Sequence, residues 1–138
     1  MNIPLKRLII VSTAAMMIGI GVLAYSPYHR HNRQAAEFTR DLGNSLTADG
    51  EMRVVEDGHR VDNLGAAGGY CYFVADLTFS TFLPFSAAEK KIDALLDQDL
   101  DGYRMPSITD EGHREGRNIV RLVVSRVGEG GSMDLRCG

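Results

Sequence analysis

Chemistry-bearing residues are sparse in this chain, and the densest group is Asp97-Gln98-Asp99-Leu100-Asp101-Gly102. Carboxylates at alternating positions ahead of a glycine open a calcium-binding loop of the EF-hand kind. The hard cation needs several oxygens, and the glycine permits the sharp turn that gathers them. The rest of such a loop is missing. The twelfth position, which should bring a bidentate glutamate, holds Ile108; the eighth holds Arg104; and Pro106 obstructs an exit helix. Asp110 and Glu111 come two and three residues too late. An acidic helix end running into a turn accounts for the same residues. No cofactor is therefore expected, and calcium held by Asp97, Asp99 and Asp101 stands as the alternative.

Cys71 and Cys137 are the only cysteines. Neither belongs to a C-x-x-C, so a redox-active dithiol site is not indicated. In YCYFVADLTFS, Cys71, Phe73, Ala75, Leu77 and Phe79 fall on one strand face, and in SMDLRC Met133, Leu135 and Cys137 do the same. Both thiols point to the apolar side. A disulfide between them is expected; it would close a loop of about 66 residues and stabilise a small domain by about 4 kcal/mol in the chain-entropy treatment. Two buried free thiols acting as small hydrophobes are the alternative. Asp76, on the opposite strand face with Tyr70, Tyr72, Val74 and Thr78, is a further candidate. If that face is covered, its carboxyl must be paired or carry a raised pKa, which is the condition of many functional carboxylates. His29, His31, His59 and His113 show no zinc-holding spacing and read as exposed polar positions. Ser86 lacks a nucleophile-elbow motif and reads as a helix cap. No catalytic residue is indicated.

Residues 8–25, LIIVSTAAMMIGIGVLAY, form an uncharged run behind a basic stretch over 1–7 that contains Lys6 and Arg7. In helical geometry, at about 1.5 Å per residue, such a run nearly covers the hydrocarbon layer of a bilayer. A single-pass transmembrane anchor is expected there. A secretory signal cleaved near Ala24, releasing a secreted or periplasmic protein, is the alternative; the run is longer than a usual signal core and no polar segment precedes the cut. Arg30, Arg33 and Arg40 balance the basic residues on the other side, so charge does not orient the segment. The cysteines do, since a disulfide belongs outside the reducing cytoplasm. The stretch from Tyr28 to Arg33 would then flank the lipid headgroups.

Residues 26–48 are expected as a stalk and packing helix. Ser26 caps it, Pro27 takes its first position with a bend before it, and Tyr28, Ala35, Phe38, Leu42 and Leu46 make its apolar stripe. Residues 49–138 are too few for two ordinary cores and form one extracytoplasmic domain. Asp57-Gly58 has the chemistry of a two-residue hairpin turn between strands over 51–56 and 59–64. The connector Gly65-Ala66-Ala67-Gly68-Gly69 leads to a long strand over 70–82. Ser86 and Glu89 match a capping box for a helix over 87–98 that buries Ala88, Ile92, Leu95 and Leu96. A short extended piece near Tyr103 and a strand over 118–127 follow. Gly128-Glu129-Gly130-Gly131 then turns the chain into a last strand over 132–137. This order predicts an α+β fold, an antiparallel sheet packed by two helices. A net charge of −3 without a concentrated basic surface excludes nucleic acid as the partner. The function these features predict is a non-enzymatic protein-binding or assembly module held at the membrane, its partner an unidentified protein.

Overall fold

The structure, a computed structural model, describes residues 5–62, 70–99, 103–130 and 137. Its elements are α1 (Leu5–Thr47), β1 (Met52–Asp62), β2 (Tyr70–Thr81), α2 (Phe85–Leu96) with a 3-10 turn at Asp97–Asp99, β3 (Tyr103–Arg114) and β4 (Arg117–Gly130). The strands make one antiparallel sheet in the order β1-β2-β4-β3, so the fold is α+β as the element order predicted.

Burial alternates along β2: Cys71, Phe73, Ala75, Leu77, Phe79 and Thr81 lie inward. Their antiparallel partners on β4 include Val124, Leu122 and Val120, opposite Ala75, Leu77 and Phe79. Both helices close over this inner face. The α1 stripe is His31, Ala35, Phe38, Leu42 and Leu46, and α2 contributes Ala88, Ile92 and Leu96, with Leu95 partly buried. The apolar side chains among these belong to one contiguous core. Removing that surface from water is the main stabilising term, at about 25 cal/mol per Å² of apolar area. Polar ties close the rim: Thr81 Oγ1 donates to the Glu51 carbonyl at 2.8 Å and accepts from the Leu83 N–H at 3.0 Å. Lys91 of α2 bonds the carboxylates of Asp49 and Glu51 in the α1–β1 loop.

Several sequence expectations give way to tertiary pairing. Asp57-Gly58 makes no turn, because β1 runs straight through it with Asp57 opposite Leu77 and Gly58 opposite Asp76. Its irregularity is instead a register shift at Val54/Glu56. The two-residue turn is Glu115-Gly116, where φ values of 52° and 75° are those a tight β3–β4 hairpin requires. The extended piece near Tyr103 is a full edge strand. Pro106 fits it because the register shifts between Arg104 and Ser107, so the missing N–H interrupts no regular ladder. Gly128, Glu129 and Gly130 continue β4, with Gly130 opposite Tyr70 on β2, rather than turning. Ser86 does not cap α2. The helix begins two residues earlier than expected, at Phe85 after Pro84, whose carbonyl accepts from the N–H groups of Ala87 and Ala88. Ser26 does not open a new helix either, since α1 passes through Pro27 without interruption. The glycine-rich connector and the last strand over 132–136 lie outside the described residues.

Among the described residues no helix is long and apolar enough to cross a membrane. The expected anchor falls within α1, but the side chains of 8–14 and 22–25 lie outside the described ones. Between them, Met16, Met17, Ile18 and Ile20 are 58–73% exposed.

Candidate functional site

The inner and outer faces of β2 each hold a group of polar side chains. On the outer face Asp76 accepts two hydrogen bonds from Arg121 of β4, Nε to Oδ1 at 2.8 Å and Nη2 to Oδ2 at 2.6 Å. Asp76 opposes Val123 and Thr78 opposes Arg121, so this is a diagonal pair across neighbouring strands, within reach for long side chains. Its bidentate geometry is the stronger form of an arginine–carboxylate contact. The bonded Arg121 guanidinium holds the Asp76 carboxyl below the usual carboxylate range, against the opposing pull of partial burial, and Arg60 adds to the effect. Arg121 is in turn raised, chiefly by Asp76, with Glu111 and Glu56 contributing. Asp76 is thus a paired carboxylate whose pKa is lowered, not raised, which suits charge organisation rather than proton donation.

Around this pair lies an open groove of about 440 Å³, lined by Val55 and Glu56 of β1, Thr78 of β2, His113 of β3 and Ile119 of β4. Carboxylates, guanidinium groups and half-exposed aliphatic side chains alternate there. Neither helix covers this face, yet its centre is not a plain solvent face: Val74 and Ser125 stand opposite each other and are both buried.

On the inner face Cys71 and Cys137 come together at disulfide distance, with their Cα atoms 4.7 Å apart. Their burial agrees with the strand-face reading of the sequence. His31, expected to be exposed, is fully buried instead: α1 turns it onto the sheet, where Nδ1 lies 3.3 Å from Cys71 Sγ and the ring centroid 6.0 Å from that of Phe73. Tyr28, expected in the stripe, is exposed, and His31 takes up the next inward position. Three- and four-residue steps back from Ala35 reach residues 32 and 31, and the latter could have been found that way. Its polar type masked it.

Asp97 is an exposed C-cap of α2, Asp99 closes the 3-10 turn, and Asp101 lies outside the described residues. Among the described residues, one set of three His, Cys, Asp or Glu side chains brings its ligand atoms within 4.8 Å of one another, and it is His31, Cys71 and Cys137. His59 and His113 are exposed, on β1 and β3. The chain matches no protein-family model, no curated protein and no solved structure.

Proposed function

We propose that this chain is a single-pass membrane-anchored protein whose extracytoplasmic domain is a non-enzymatic protein-binding or assembly module. The observation that carries the reading is the division of labour along α1. Its residues from His31 to Leu46 pack the sheet, while Met16, Met17, Ile18 and Ile20 of the same continuous helix stay largely exposed. Exposed large apolar side chains in a row cost free energy in water and are relieved by lipid. Paired cysteines support a domain outside the reducing cytoplasm. The part of the outer sheet face around the Asp76–Arg121 pair supplies a contact surface of mixed polarity, with that pair as a preformed charge pattern for a protein partner.

The test is purification of tagged full-length protein from its native membranes in mild detergent, followed by intact mass and quantification of companions. The expected result is an uncleaved mass and one stoichiometric protein that Arg121→Glu releases while leaving the fold intact. A mass beginning at Tyr25 would replace the anchor by a secreted or periplasmic form. A companion unaffected by Arg121→Glu would remove the outer face from the proposal.

A further inference from the structure

His31, Cys71 and Cys137 come from three separate parts of the chain: α1, β2 and the segment beyond β4. All three are buried, with exposures of 0%, 0% and 1%. Two thiolates and one imidazole are a donor set for ions of soft or borderline character, zinc(II) and copper(I) above all. Around a tetrahedral zinc with Zn–S near 2.3 Å and Zn–N near 2.0 Å, a sulfur and a nitrogen stand about 3.5 Å apart and two sulfurs about 3.8 Å. The 3.3 Å between His31 Nδ1 and Cys71 Sγ is already close to that spacing. The two sulfurs, at disulfide distance, are too close to share an ion; they must separate by roughly 2 Å on that same geometry. Breaking the S–S bond frees both side chains to do so by rotation about Cα–Cβ, with Cα atoms 4.7 Å apart and the imidazole already seated.

We infer that the reduced form of this cluster binds one zinc(II) or copper(I) ion through Cys71 Sγ, Cys137 Sγ and His31 Nδ1, and that the disulfide is its closed, metal-free form. The chemistry balances with a dithiol as reductant. It delivers two electrons and two protons to the S–S bond, which becomes two thiols, and is itself oxidised to a disulfide. The ion then displaces both thiol protons and takes the lone pair of neutral His31. Oxidation by a disulfide runs the sequence backward and expels the ion. Three donors complete a trigonal copper(I) site, whereas zinc requires a fourth ligand such as water. Because both cysteines are ligands, the ion restores in the reduced protein the tie between β2 and Cys137 that the disulfide makes in the oxidised one, and His31 adds α1 to it.

The experiment uses full-length protein in detergent, reduced anaerobically with a phosphine and freed of it, beside the oxidised protein. Cobalt(II) serves as the spectroscopic probe for the zinc site, read by thiolate-to-metal absorption, and copper(I) is titrated against a chromophoric chelator. The reduced protein is expected to bind one equivalent of at least one ion and the oxidised protein none. Cys137→Ser should abolish binding, and His31→Asn should weaken it about tenfold or more, as loss of an oriented imidazole does. Equal binding by oxidised protein, no binding by the reduced wild type, or an unchanged affinity in His31→Asn each overturns the inference. Should His31→Asn fail to fold, X-ray absorption of the loaded wild type decides: two sulfurs and one imidazole uphold the site, and a shell without imidazole overturns it. Should reduction unfold the domain, the ion must restore cooperative melting, and failure to do so overturns the site equally.

Discussion

Replacing Gly128 by alanine adds one methyl group at the contact between β4 and the ring of Phe73. A Cβ built on the Gly128 backbone falls 2.6 Å from Cζ, 2.9 Å from Cε2 and 3.0 Å from Cε1 of that ring. Non-bonded carbons rest at about 3.5–4.0 Å, so the ring tip must retreat by about 1 Å. On one side it meets packed neighbours, since Phe73 is only 7% exposed and its ring lies against His31. On the other is a crevice of about 460 Å³ that Phe73 and Gly128 line together with Gln34 and Phe38. That open side keeps the cost near about 2 kcal/mol, in the middle of the range for overpacked sites. Losing the conformational freedom of an unfolded glycine offsets about 0.4–1 kcal/mol of it. The net effect is a destabilisation of about 1 kcal/mol, which in a domain of this size lowers Tm by about 5 °C. Thermal unfolding followed by circular dichroism in one detergent reads it directly. Shortening the ring should rescue the variant: Phe73→Leu combined with Gly128→Ala should lose less than the sum of the two single changes. A melting temperature within about 1 °C of wild type, or strict additivity in the double variant, refutes the argument that ring and backbone compete for this space.

Two further outcomes follow from the pairs on the two faces of β2. Cys137→Ser opens a link spanning a sequence separation of 66 residues and should cost about 4 kcal/mol by urea unfolding; the wild type should weigh two hydrogens less than its reduced form by intact mass. Asp76→Asn should cost about 1 kcal/mol at pH 7, since the bidentate pair is partly shielded, the carboxylate being 27% exposed, but is still screened by solvent. The folded Asp76 pKa is lowered, so the contribution of the pair is fully present above the unfolded carboxylate range near pH 4 and is lost as pH falls through the lower folded value. The stability difference between wild type and Asp76→Asn should therefore hold from pH 7 to about 5 and shrink below about 4; a gap that widens in acid contradicts the pairing.

Most of the helical and strand content could be read from local pattern. Apolar steps of three and four located the buried face of α1 from Ala35 to Leu46 and that of α2. Alternation along β2 assigned Cys71 and Asp76 to opposite faces, and both assignments hold. Turn chemistry misled where pairing partners were remote. Asp57-Gly58 looks like a hairpin in isolation, but β2 pairs with β1 in continuous register from Glu56 to Asp62, and the ladder bonds outweigh a local turn preference. Near Tyr103 local pattern showed only a short extended piece, yet β3 is a full edge strand with a register shift at Pro106, where a missing N–H costs little.

What the sequence by itself determined is the α+β composition, an inward cysteine on β2 and an apolar N-terminal run, because each depends on periodicity within a short segment. What only the tertiary structure decided is who meets whom. Arg121 reaches Asp76 across 45 residues, and His31 reaches Cys71 across 40. Neither separation leaves a local trace, since such contacts follow from strand order and from the angle at which α1 crosses the sheet. A buried histidine within a polar stretch, Tyr28-His29-Arg30-His31-Asn32-Arg33, reads as exposed until the helix is laid on the sheet and one face of it is closed off from water.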